Sequence, residues 1–165
     1  MAKQLLLVRH GKSDWGNLDL KDFDRPLNKR GKENAPEMAE RLINRGFTFD
    51  LIVSSPAKRA KSTAKYFAEA YHLDQIQYEE SIYEASTRTL LNVVNHLPDD
   101  ANTVMMFGHN PGFTDFANEL SGSDIYNIPT SGMALISFPF DSWQMISKGT
   151  GELVFFDYPK NSDEV

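Results

Sequence analysis

Three short blocks of this chain carry residues able to handle an anion. They are Arg9-His10-Gly11, Ser54-Ser55-Pro56 with Arg59 one turn further on, and Gly108-His109-Asn110. Each follows a run of aliphatic residues that reads as a buried strand. In an open α/β sheet, ligands sit just beyond the carboxyl ends of the strands. If the three strands are parallel neighbours, two arginines and two histidines converge on one edge, and the N-termini of flanking helices add partial positive charge. Such a pocket suits a tetrahedral dianion, because the guanidinium group offers forked donors that match phosphate oxygens and never loses its charge. Phosphate is therefore the expected ligand. Taken singly, Arg59 reads as a solvated helix charge and His109 as a partner for loop backbone. Their shared placement after aliphatic strands favours the common site. Zinc is not expected, since the chain has no Cys, no His-x-x-x-His pair and no clustered carboxylates.

The elements that must position these residues follow from periodicity. Leu5-Leu6-Leu7-Val8 reads as a strand buried on both faces at the centre of a parallel sheet, with Gly11 allowing a sharp turn and close ligand approach. Residues 13–26 form a polar loop over the strand ends. Asn28 caps a helix whose inner face carries Ala35, Met38, Ala39, Leu42 and Ile43, with Gly46 as its stop. Residues 51–53 form a second strand. Ser55 and Pro56 then read as the cap and first position of a helix with Ala60, Ala64, Phe67 and Tyr71 inward. After a minor strand at 76–78 and a loop, Thr87 caps a helix burying Leu90, Leu91, Val94 and Leu97. Residues 103–107 are a third strong strand, followed by a short helix with Phe113, Phe116, Ala117 and Leu120 inward. Two further strands, at 134–138 and 153–156, lack a crossover helix between them and pair antiparallel.

The alternation predicts an α/β fold, a three-layer α/β/α sandwich with a mainly parallel central sheet and an antiparallel edge. With 165 residues and neither repeats nor a composition break, one domain spans 1–165, and 159–165 read as a disordered tail. His72 and His96 fall late in helices and are assigned no function. At 41% hydrophobic and 24% charged the composition is that of a globular protein. The net charge of −6 argues against nonspecific nucleic-acid binding, and no apolar run reaches membrane-spanning length. A cytoplasmic monomer is expected, without nucleic-acid or membrane partners.

Taken together, Arg9-His10-Gly11, Ser54-Ser55-Pro56 with Arg59-Ala60 and Thr63-Ala64, and Gly108-His109-Asn110-Pro111-Gly112 resemble the histidine phosphatase superfamily, the phosphoglycerate-mutase-like group. The short length, Asp24-Arg25-Pro26-Leu27 and Tyr83-Glu84-Ala85-Ser86 are most similar to its SixA-type phosphohistidine phosphatases. The resemblance covers residues 5 to about 134. It implies that His10 is a nucleophile that becomes phosphorylated, its other ring nitrogen donating to a backbone carbonyl. Arg9, Arg59 and His109 would bind phosphate, with His109 a proton-bearing donor once the anion is in place. Glu84 matches the position of a general acid, although a solvated glutamate beside a helix cap accounts for it equally. Arg25 adds a further phosphate-binding cation or pairs with Asp22 or Asp24, and Ser13 lies near enough to contribute.

The implied reaction is metal-free and cofactor-free hydrolysis of a phosphorylated substrate, foremost a phosphohistidine-bearing protein. A small-molecule phosphomonoesterase or a mutase is the enzymatic alternative, and a phosphoprotein-binding module the non-enzymatic one. Trp15 is followed by Gly16 where mutase-like members have Trp-Asn, and the chain lacks their long covering insertions. The first leaves one phosphate contact of the mutase subgroup without a counterpart, and the second fits an open site for a bulky substrate.

Overall fold

Consecutive side chains of the first strand point to opposite faces of a sheet, and both faces are covered. In the computed structural model, which describes residues 2–160, Leu5 and Leu7 of β1 (Lys3–Arg9) lie in one core cluster, whereas Leu6 and Val8 lie in the other. All four are fully buried. The remaining strands are β2 (Leu51–Ser54), β3 (Gln77–Tyr78), β4 (Thr103–Gly108), β5 (Met133–Phe138) and β6 (Glu152–Asp157). They form one sheet in the order β3-β2-β4-β1-β5-β6. β3, β2, β4 and β1 run parallel to one another, while β5 is antiparallel to both β1 and β6. The predicted sandwich is therefore present. The antiparallel part reaches further inward than expected, so β1 marks the boundary between the two halves of the sheet.

Helices α1 (Lys29–Asn44) and α2 (Lys58–Ala70) cover one face; α3 (Thr87–Asn95) and α4 (Gly112–Ser121) cover the other. Beneath α2, Phe67 meets Phe107 of β4 edge-to-face with ring centroids 5.0 Å apart. Each such buried side chain contributes about 1.5–3 kcal/mol through loss of apolar surface from water. α1 begins as predicted, the Asn28 side chain accepting from the Gly31 N–H at 2.9 Å. Close packing also requires glycine at 31, because a Cβ there would come within 2.3 Å of the Lys12 carbonyl oxygen.

Several local expectations are corrected. α2 starts at Lys58, with Ala57 and not Ser55 at its cap, so Ser55-Pro56 is a turn preceding the helix. Ser55 still accepts from the Ala57 N–H at 3.2 Å, but its hydroxyl is engaged in the site described below. Ser86 rather than Thr87 caps α3. Ile43 is exposed, and Tyr71 is only half buried, its hydroxyl donating to the Phe47 carbonyl at 2.9 Å. The expected disordered tail does not begin at Pro159, whose carbonyl accepts from the Arg41 guanidinium at 2.6 Å. Residues 161–165 lie outside the described residues. Among the latter, no helix is long and apolar enough to cross a membrane.

Candidate active site

The parallel order β2-β4-β1 puts the ends of three strands side by side, with Arg9 opposite Gly108 and Ser54 opposite Phe107 in register. The polypeptide leaves β1 at His10, whose N–H bonds to the Gly108 carbonyl at 3.0 Å. Ser131, just before β5, donates its N–H to the carbonyls of Arg9 and His10 at 3.1 and 3.0 Å. Gly11 does not adopt the left-handed conformation. Glycine serves there for room, since an added Cβ would approach Ser131 Oγ, Gly31 Cα and the Leu27 side chain at 3.1–3.2 Å. Its N–H is held by Thr63 Oγ1 of α2 at 2.9 Å, and that hydroxyl donates in turn to the Arg59 carbonyl at 2.8 Å. The turn after β1 and the helix that carries Arg59 are thus pinned together.

His10 and His109 are both nearly buried, their ring centroids 5.1 Å apart. His10 Nδ1 donates to the Gly11 carbonyl at 2.7 Å, which places the proton on Nδ1 and the lone pair on Nε2. Arg59 Nε meets that nitrogen at 3.3 Å. Burial pushes the His10 ring down to about 3; the Gly11 hydrogen bond opposes this, and His109, Arg59 and Arg9 add to it. The ring is neutral at ordinary pH, its Nε2 free of a proton.

On His109, Nε2 lies 2.8 Å from Ser55 Oγ, while Nδ1 is buried without a hydrogen-bond partner. Burial, then Arg59, holds this ring down to about 3. Protein groups alone therefore leave it neutral; the charged form expected with a bound dianion would depend on the dianion. Arg9 anchors one nitrogen on the Ile128 carbonyl at 2.9 Å, and its Nε is likewise buried without a partner. A buried donor left unsatisfied costs about 1–3 kcal/mol, so an unpartnered nitrogen on each of Arg9 and His109 favours a ligand that brings acceptor oxygens.

Sequence reasoning did not single out Asp22 as a site residue. It lies in a 3-10 turn (Asp22–Asp24) of the loop over the strand ends. Its Oδ2 accepts from Arg59 at 3.0 Å and from the Tyr83 hydroxyl at 2.6 Å, and its backbone carbonyl accepts from Arg59 at 2.7 Å. Its Oδ1 takes Arg25 through two nitrogens at 3.1 and 3.0 Å. Partial burial would raise this carboxyl, but the hydrogen bonds from Tyr83, Arg25 and Arg59 bring it down to about 2. The only local signal was the Asp22-x-x-Arg25 spacing. Tyr83 also packs edge-on against the His109 ring, at 5.4 Å between centroids.

Arg25 takes part in this network. It pairs with Asp22, bonds Ser13 Oγ and stacks on the Trp15 ring at 3.5 Å. Arg25 and Ser13 are thus engaged with each other and with the loop. Glu84 is exposed beside Tyr83, in a left-handed backbone conformation with φ of 54°. It does not join the buried cluster. Burial first, then Asp22 and Glu84, push the Tyr83 hydroxyl above its ordinary value, so the Glu84 carboxylate borders the same network. Among the described residues, no group of three or more His, Cys, Asp or Glu is arranged to hold a metal ion.

A buried pair of imidazoles flanked by arginines at the carboxyl edge of an α/β sheet defines a phosphoryl-transfer centre. The chain belongs to the histidine phosphatase superfamily: the model of its branch 1 matches residues 5–93. An uncharacterized chloroplastic protein of Arabidopsis thaliana is 34% identical over 154 residues, covering 87% of this chain and 70% of its own length. A 2,3-bisphosphoglycerate-dependent phosphoglycerate mutase of Treponema pallidum is 36% identical over 80 residues, 47% of this chain and 32% of that protein. The crystal structure of the putative phosphohistidine phosphatase SixA from Agrobacterium tumefaciens superposes with a TM-score of 0.81 at 29% identity, covering 95% of this chain and 98% of that one. The protein is a phosphatase of this superfamily, acting on a phosphorylated substrate.

Proposed function

We propose that the chain hydrolyses phosphohistidine in proteins by way of a phosphoryl group carried on His10. The observation that supports this most directly is the hydrogen bond from His10 Nδ1 to the Gly11 carbonyl, which leaves Nε2 unprotonated beside Arg59. Nε2 attacks phosphorus in line with the substrate's P–N bond; the P–Nε2 bond forms as that bond breaks. A substrate imidazole already protonated on its distal nitrogen leaves neutral, without help from an enzymic acid. Arg9, Arg59 and Nδ1 of His109 hold the phosphoryl oxygens throughout, and Arg59 must exchange its contact with the His10 lone pair for one with oxygen. Water then attacks phosphorus as the P–Nε2 bond breaks; both of its protons stay with the released phosphate, as dihydrogen phosphate, and neutral His10 is restored.

The exposed position of Glu84, outside the buried cluster, fits a reaction that needs no acid. Near-complete mutual coverage with the SixA fold also favours this substrate, since neither chain carries the long insertions that cover mutase sites.

A second reading is a phosphomonoesterase or mutase. It is favoured by the φ of 54° at Glu84, a conformation costing a non-glycine residue about 1 kcal/mol or more, which holds the carboxyl group beside Tyr83 at the edge of the site. Turnover of phosphohistidine peptide, phosphoserine and a small sugar phosphate, measured side by side, separates the two. Preference for the P–N bond by tenfold or more in kcat/KM is expected; preference for an ester would reverse the assignment. His10→Ala is expected to abolish phosphate release from all three.

A further inference from the structure

On the α1 side of His10 lies a half-open cavity of about 450 Å³, within the size range of sites for small ligands. Lys12, Arg30 and Lys160 line it together with Pro129, Thr130 and Tyr158. Two of its walls adjoin the catalytic cradle directly. Lys12 follows His10 by two residues, so their Cα atoms are at most roughly 7.6 Å apart. Thr130 immediately precedes Ser131, which bonds the carbonyls of Arg9 and His10.

The charges in this cavity have no evident structural purpose. Among the described residues, Lys12, Arg30 and Lys160 enter no ion pair. The acid of the cavity, Glu37, already accepts from Arg41 at 2.7 Å and from Asn34 at 3.2 Å. Arg30 sits in the first turn of α1, a turn without any acidic residue, where a cation opposes the helix dipole. In a chain of net charge −6, three cations that pair with no acid among the described residues, gathered around one hollow, are a local reversal of sign.

We infer that this cavity is a second anion subsite, which receives a carboxylate or phosphate that the substrate carries at a distance from its scissile phosphoryl group. The apolar surfaces of Pro129 and Tyr158 pack the connecting part of the substrate, and the three cations select for the distal charge. The subsite would make the enzyme discriminate among phosphorylated compounds by what lies beyond the reacting phosphorus. The inference rests on the phosphatase reading for where that phosphorus sits. The same chemistry suits an acidic side chain flanking a phosphorylated residue or the second acid of a small molecule.

The test uses an Arg30→Met/Lys160→Met double variant, both positions being exposed. Phenyl phosphate is compared with an aryl phosphate bearing a distal carboxylate, and a neutral-flanked phosphohistidine peptide with an acidic-flanked one. The expected result is a fall of at least fivefold in the variant's preference, as a kcat/KM ratio, for the carboxylated member of a pair. The pair that responds identifies the source of the anion. An unchanged ratio in both pairs overturns the inference. Calorimetric binding of benzylphosphonate and its carboxylated analogue, which cannot be hydrolysed, keeps the two readings apart. Absence of turnover on every substrate would defeat the phosphatase reading alone. A fivefold affinity loss confined to the carboxylated analogue would then still support the subsite, and an equal loss for both analogues would sink it.

Discussion

Arg59 joins His10 to an acid: its Nε approaches His10 Nε2 at 3.3 Å while another of its nitrogens holds Asp22 Oδ2 at 3.0 Å. In the proposed reaction Asp22 competes with phosphate for the same guanidinium, and through Arg25 it also ties down the loop that carries it. Exposed on its outer side, the carboxylate can be displaced without leaving a charge buried. The site is set between two counterions, one built in and one supplied by the substrate.

Asp22→Asn removes the competing charge but keeps the shape of the side chain. Inorganic phosphate is expected to inhibit the variant roughly fivefold more strongly, equivalent to about 1 kcal/mol. Steady-state inhibition constants check this. An inhibition constant that stays the same or rises would show that Asp22 is only a support for the loop.

The two buried histidines tie stability to pH. Burial holds both rings down to about 3, with Arg59 among the lesser causes, whereas the unfolded rings titrate near 6.5. Between those values the unfolded chain binds the more protons, so stability falls as pH falls from 6.5 toward 3. From pH 7 to pH 5 the loss is on the order of 2 kcal/mol for each ring. Asp22, lowered to about 2, acts in a separate window: its contribution is present above about 4 and lost as pH falls through 2. In scanning calorimetry, the wild-type Tm should drop more steeply between pH 7 and pH 5 than that of His109→Asn. Parallel curves would refute the buried, neutral state of His109.

Glu84→Gln separates two reaction classes on one protein. Hydrolysis of an alkyl phosphomonoester should slow by ~10²–10⁴ if Glu84 protonates the leaving oxygen. Phosphohistidine turnover should change by less than roughly threefold, because the imidazole departs without an acid. Equal rates for variant and wild type on the ester would remove Glu84 from the mechanism.

Gly31→Ala tests the packing of α1 beneath the turn that follows His10. The added methyl would lie 2.3 Å from the Lys12 carbonyl oxygen, a backbone atom that cannot swing aside. Overpacking of this kind costs about 1–3 kcal/mol, or roughly 3–10 °C in Tm for a chain of this size. Activity should fall as well, since Lys12 adjoins the Gly11 carbonyl that orients His10. An unshifted melting curve would mean that α1 can move away from the nucleophile loop at little cost.

The strands and most helix faces were legible in the chain because their signals are local. Leu5-Leu6-Leu7-Val8 fills both faces of a sheet whatever its neighbours, and Asn28 caps α1 through a bond spanning three residues. Arg9, His10, Arg59 and His109 could likewise be named from their places after aliphatic runs. The caps of α2 and α3 were misplaced by one or two residues, because Ser, Thr and Pro near a helix start satisfy several registers equally. Only the tertiary structure brought β2, β4 and β1 side by side, and so turned four separate residues into one cradle. It alone assigned Arg25 to Asp22, and Asp22 to Arg59 and Tyr83, partners 37 and 61 residues away. Periodicity and capping act over a turn or a strand and record nothing of contacts at that separation. Such a pairing exists once the sheet order has closed the distance, and side-chain geometry then selects among the available acids.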